Sequence, residues 1–127
     1  ILSASSASFS AALCALATTI YLSALGRRGL QYLSKLNFHR AEYAKAKLME
    51  LPGYSLKFTA PTFNEFVLTV PCDVAAINRH LFENGIIGGL GLKRFFPEME
   101  REMLFCVTEM NNKQAIDRLV KVLSIHE

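Results

Sequence analysis

With 127 residues, 51% hydrophobic and 20% charged, the chain has the size and composition of one globular domain rather than a disordered or fibrous segment. Its net charge of +3 is small, and its basic residues are scattered among acids. Arg27-Arg28 and Lys93-Arg94 are the adjacent basic pairs, a poor electrostatic footprint for nucleic acid. Cys14, Cys72 and Cys106 are odd in number and far apart, with no CxxC, which excludes a disulfide framework and points to a reducing compartment. His39, His80 and His126 show no metal-ligand spacing, so no metal site is expected.

In chain order, residues 1–10 (ILSASSASFS) lack a helical pattern and read as a disordered or cloning-derived start, with 11–127 forming a single α+β domain. Ala11 to Leu25 is almost continuously apolar and ends at Gly26. It is short for a bilayer span, is interrupted by Thr18, Thr19 and Ser23, and has no basic leader. A helix apolar on all sides is buried by protein, which a domain this small does not supply, so a missing domain or partner is expected to cover it.

A second helix is expected from Gly29 to Glu50. Leu30, Leu33, Ala41, Ala44 and Leu48 form one stripe, and Tyr32, Leu36 and Tyr43 form another. Two faces suit a helix that bridges one body to another. Pro52-Gly53 ends it. A short strand is expected over Tyr54–Thr59, followed by a second in which Phe66, Leu68 and Val70 alternate with Glu65, Val67 and Thr69. Pro71 stops that strand, and Asp73 caps a helix with Val74, Ile77 and Leu81 on one side. Gly85 stands where a left-handed helix end suits glycine. A third strand is expected over Met103–Thr108. Asn111 or Asn112 then caps a last helix with a stripe of Ile116, Leu119, Val120 and Leu123. The order α-α-β-β-α-β-α implies an α+β fold with helices on one face of a small three-stranded sheet.

The glycine loop from Gly85 to Gly91 lacks the GxxxxGK[ST] pattern and follows a helix rather than preceding one, so a crossover is favoured over a phosphate cradle. Glu65 sits beside Asn64 between Phe63 and Phe66, His80 falls on the polar side of its helix, and no nucleophile has an evident base. No catalytic or cofactor-binding residue is assigned. Asn64, Glu65, Gly88 and Gly89 are the candidates for an interface or active-site loop.

Four strings carry a family resemblance: LCALATTIYLSALGRRGL, APTFNEFVLTVP, LFENGIIGGLGLKRFFPEMEREMLFCVTEM and NNKQAIDRLVKVL. Together, from about Ala12 to Leu123, they resemble the C-terminal part of subunit 1 of glycine dehydrogenase (decarboxylating), the P-protein of the glycine cleavage system. The resemblance implies the small C-terminal domain of the aspartate-aminotransferase-like fold, fold type I of the pyridoxal-phosphate enzymes. It implies a parent complex, cytoplasmic and heterotetrameric, that decarboxylates glycine and passes the aminomethyl group to the lipoyl arm of the H-protein. The expected partners are subunit 2, the H-protein lipoyl domain through the complex, and the missing large domain of the same subunit. Nucleic acid and membrane are not expected. Pyridoxal phosphate belongs to the parent complex, with the Schiff-base lysine outside this chain and no cofactor bound by this domain alone. Such a domain is expected to be inactive by itself. The family usually has a segment such as NICTNQ before LCAL, where this chain reads SSASFS. Related aminotransferases carry a substrate-binding arginine on the third small-domain strand, and Met103–Thr108 has none. The alternative is a free-standing α+β interaction or small-ligand-sensing domain that covers the Ala11–Leu25 helix within a monomer or symmetric dimer.

Overall fold

A computed structural model describes residues 2–125, with side chains from Ser10 onward. Ile1 and His126, the latter read from sequence as a tail residue, lie outside the described residues. The elements run α1 (Leu2–Met49), β1 (Ser55–Leu56), β2 (Glu65–Thr69), α2 (Val74–Glu83), β3 (Leu90–Gly91), β4 (Glu102–Cys106) and α3 (Lys113–Leu123). The contacts divide the chain into two units, Ile1–Lys35 and Leu36–Glu127, each described here by itself.

In the first unit the helix starts at Leu2, where an irregular start was expected. Residues 2–10 hold neither Pro nor Gly, so nothing in them stops helical propagation toward the N-terminus. The α1 span holds the two helices expected on either side of Gly26, joined across a kink at that residue. Gly26 breaks it locally with φ 59° and ψ −178°, a conformation that glycine adopts without steric cost. Leu13, Leu16 and Ile20 are more than half exposed. Thr18 and Thr19 turn their hydroxyls back onto the carbonyls of Cys14 and Ala15, each at 2.8 Å. The helix from Ser10 is long and apolar enough to cross a membrane by length and composition.

The second unit is built around β2 and β4. Phe66, Leu68 and Val70 on one strand, and Met103, Phe105 and Val107 at the other, are all buried. Antiparallel register sets Phe66 opposite Phe105 and Leu68 opposite Met103, so the apolar side chains share one face. The two phenyl rings stack at 5.9 Å between centroids. Ala41, Ala44 and Leu48 of α1, Val74, Ile77 and Leu81 of α2, and Ile116 and Leu123 of α3 complete this core.

The sheet has four strands, in order β1-β2-β4-β3, rather than three. The extra strand lies in the glycine segment, where Leu90 pairs with Leu104 and Gly91 with Met103. A two-residue strand that is half glycine leaves no alternation to detect. β1 is likewise shorter than expected. Asp73 caps α2 by accepting the Ala76 N–H at 3.1 Å, and Asn112 rather than Asn111 caps α3 through the Ala115 N–H at 2.8 Å. Gly85 follows α2 with φ +72°.

Candidate functional site

The four candidate residues fall in two groups. Asn64 and Glu65 open β2, and the register brings Glu65 opposite Cys106 at the end of β4. Asn64 donates through Nδ2 to Cys106 Sγ at 3.5 Å, and its carbonyl accepts the Val107 N–H at 2.8 Å. Partial burial and the neighbouring Glu65 carboxylate push the Cys106 thiol up, so it stays protonated at neutral pH. This corner offers a polar thiol and carboxylate edge, not a thiolate nucleophile.

Gly88 and Gly89 form the second group, where the loop passes between α2 and β4. A Cβ at Gly88 falls 2.1 Å from Asn78 Oδ1 and 2.7 Å from Leu81 Cδ1. A Cβ at Gly89 falls 2.7 Å from both the Leu104 carbonyl oxygen and Met103 Cγ. These glycines allow close packing. Asn78 Nδ2 donates to the Gly89 carbonyl at 2.9 Å.

The two groups do not touch through any described bond, but their neighbours border one cavity. It has a volume of about 470 Å³ and takes Cys106 from β4, Gly85, Ile86 and Ile87 from the loop, and Ile116 and Leu119 from α3. Its polar lining includes Asn111 and Arg118, both engaged within the fold. Asn111 Oδ1 accepts the Thr108 N–H at 2.9 Å, and Arg118 donates to the Asn84 carbonyl at 2.6 Å. A second cavity of about 320 Å³ includes Phe38, Phe58 and Lys45. There the buried Lys45 ammonium pairs with Glu42 and donates to Thr62 Oγ1 at 2.9 Å.

Three polar arrangements were not anticipated from the sequence. His80 is not a purely solvated residue, since its Nε2 lies 3.2 Å from the Val122 carbonyl at the end of α3. Glu102 is buried on the sheet face away from the apolar core. It pairs with Lys57 at 2.8 Å and accepts from the Arg101 N–H at 3.1 Å and Thr69 Oγ1 at 3.4 Å. Hydrogen bonding to the Lys57 ammonium holds its carboxyl below the usual range. Asn37 and Arg40 of α1 together grip both backbone polar groups of Glu109 in the β4–α3 loop. Asn37 Oδ1 accepts the Glu109 N–H at 2.5 Å, and Arg40 donates to the Glu109 carbonyl. Asn78 had a sequence signal, a polar residue within the inward positions 74, 77, 78 and 81 of an amphipathic helix, and so had Asn37, which occupies one turn of the stripe of Leu33, Ala41, Ala44 and Leu48.

Residues 3–123 match the family described as glycine cleavage system P-protein. A probable glycine dehydrogenase (decarboxylating) subunit 1 from Desulfitobacterium hafniense is 50% identical over 109 residues, covering 86% of this chain and 24% of that relative. One of the same description from Moorella thermoacetica is 46% identical over 112 residues, covering 88% and 25%. The chain therefore spans about a quarter of the length of the curated relatives it matches. Among solved structures, a crystal structure of glycine decarboxylase (P-protein) of the glycine cleavage system, in inhibitor-bound form, superposes with a TM-score of 0.74 and 32% identity. It covers 84% of this chain and 24% of that one. A phosphoserine aminotransferase from Cytophaga hutchinsonii has a TM-score of 0.62 at 14% identity, covering 84% of this chain and 29% of its own, a likeness of fold alone. The architecture is that of the small domain of fold type I pyridoxal-phosphate enzymes.

Proposed function

This chain belongs to the glycine cleavage system P-protein family, and on that premise we propose that it serves as the small C-terminal domain of subunit 1 of a glycine dehydrogenase (decarboxylating). In the assembled enzyme it supports pyridoxal-phosphate-dependent decarboxylation of glycine and transfer of the aminomethyl group to the lipoyl arm of the H-protein. The observation that carries this reading is the agreement of two likenesses. Sequence identity to subunit 1 relatives runs through nearly the whole chain, and the fold matches a glycine decarboxylase over the same extent.

The residues described do not by themselves fit pyridoxal phosphate. A Schiff base needs an amine free to lose its proton. In the 470 Å³ cavity the cationic side chain is a guanidinium, which does not deprotonate in proteins. In the 320 Å³ cavity the amine is Lys45, held by Glu42 and Thr62. The domain's part is architectural: residues 36–127 form the small domain, and the apolar helix of residues 10–25 packs on the large domain of the same subunit. Its threonine hydroxyls are satisfied by its own carbonyls, which lets that face be buried without stranding a donor. Asn64, Glu65, Gly88 and Gly89 belong to the side that faces the rest of the enzyme. The complex is a cytoplasmic heterotetramer with subunit 2, and the isolated domain is inactive.

The test is reconstitution. Co-expression of the chain with the subunit 1 large domain and subunit 2 is expected to recover release of labelled carbon dioxide from glycine in the presence of lipoylated H-protein. The chain alone is expected to release none. A complex that assembles with pyridoxal phosphate yet never decarboxylates glycine rules the reading out.

A further inference from the structure

The loop after α2 is tethered at both ends and free in its middle. On its near side, the Gly85 N–H donates to the Phe82 carbonyl and the Ile86 N–H to the Leu81 carbonyl, both at 2.9 Å. On its far side, the Gly89 carbonyl accepts from Asn78 Nδ2, and Leu90 and Gly91 enter the sheet beside β4. Ile87 stands between these tethers with its side chain 93% exposed. An apolar side chain so displayed on a backbone held within two residues on each side is a preset contact, since ordering the loop costs little on assembly.

Among the described residues, Asn78 is the side chain of α2 that bonds the far side of this loop. Leu81 and Ile77 bury α2 in the core, so the Asn78 side chain starts from a fixed base. Its Oδ1 is buried and accepts no hydrogen bond from a described residue, while its Nδ2 reaches Gly89. Burying an amide oxygen without a donor costs about 1–3 kcal/mol. An alanine or leucine at this helix position avoids that cost, and either has the higher helix propensity. The stability of α2 alone therefore does not explain an asparagine there. Gly88 is the complementary feature, because any larger residue collides with the amide.

Resting on the function proposed above, we propose that Asn78 is a positioning residue of the assembled glycine-decarboxylating enzyme. Its amide sets the Gly88–Gly89 backbone against β4 and so fixes where Ile87 meets the rest of the protein. Asn78 touches no reacting atom in this account. It acts through the loop.

The test uses the full assembled enzyme and reads both loop order and turnover. Asn78→Asp keeps the size of the side chain but removes the donor. It is expected to speed hydrogen exchange at residues 86–90 by about tenfold or more while leaving α2 and β4 protected. It is also expected to lower kcat at saturating glycine by about tenfold to a hundredfold, and its carboxylate, buried without a donor, is expected to lower the thermal midpoint. Asn78→Leu, which fills the site with neither donor nor charge, is expected to give the same exchange and the same kcat with the thermal midpoint kept. Gly88→Ala displaces the amide sterically and is expected to match that loss. Adding Asn78→Ala to Gly88→Ala then costs nothing further, because the two changes break one interaction. Unchanged exchange at 86–90 overturns the proposal. So does a loosened loop with wild-type kcat and KM, or strict additivity of the pair. In each of these cases wild-type turnover leaves the proposed function standing, whereas an inactive wild-type assembly removes both.

Discussion

Helix α2 and the helix of residues 10–25 are both rich in apolar residues and meet opposite fates. In α2 the apolar residues fall on one side, and Ile77 and Leu81 have no exposed surface. In residues 10–25 they are spread around the axis, and Leu16 and Ile20 are 57% and 61% exposed. Residues 10–25 carry no charged side chain, whereas Asn78, Arg79, His80 and Glu83 interrupt the apolar residues of α2. A one-sided stripe identifies the core that the chain itself provides. An all-round apolar surface finds no such cover in the first unit, and the chain spans about a quarter of the length of its relatives.

That contrast can be broken by substitution. Leu81→Ala should cost the second unit about 2–5 kcal/mol in urea unfolding, as a core cavity does. A cost below 1 kcal/mol there means that the stripe is not the core.

Glu102 gives the next largest effect. Glu102→Gln should cost about 1–3 kcal/mol at neutral pH, because it takes a buried partner from Lys57. The pH dependence has a definite sign. The folded-state pKa is lowered, so the carboxylate's contribution is complete above its ordinary value near 4.5 and disappears as the pH falls through the folded value. Denaturant curves of the two proteins should therefore run apart above about pH 5 and converge below 4. A gap of constant size down to pH 3 excludes the carboxylate as the source.

Asp73→Ala should remove about 1 kcal/mol by stripping the Ala76 N–H of its acceptor. The loss should appear in thermal unfolding and be largely restored by Asp73→Ser. Leu16→Gln should change the unfolding of the second unit by less than about 0.5 kcal/mol, since Leu16 is no part of its core. The same substitution should weaken binding to the subunit 1 large domain in a pull-down. A Leu16→Gln protein that binds as well as wild type removes that helix from the interface.

What the sequence made legible follows the same division. Phe66, Leu68 and Val70, the Asp73 cap and the glycine turn at Gly85 obey rules with ranges of two to four residues, and each is found where expected. The β3 ladder, the Glu102–Lys57 pair and the His80 contact with Val122 were not read, because they depend on register or on residues about 40 positions apart. The candidate site was legible only as residue names. Cys106 stands beside Asn64 and Glu65 because β2 and β4 pair in one register out of several that composition allows. Asn78 was within reach, since a polar residue inside an apolar stripe is a local observation.

The grip of Asn37 and Arg40 on Glu109 has a consequence for the order in which the chain folds. It joins residues 72 positions apart, whereas the β2–β4 pairing closes spans of about 40 or fewer. Closing the longer span costs more chain entropy and gains only two hydrogen bonds, so it pays to close it after the sheet has shortened the path. The grip should form on the native side of the folding barrier. Asn37→Ala is then expected to leave the refolding rate nearly unchanged and to speed unfolding by about fivefold to tenfold. Asn37 and Arg40 thus act as a latch on a domain already formed, governing how long it stays closed rather than how quickly it closes.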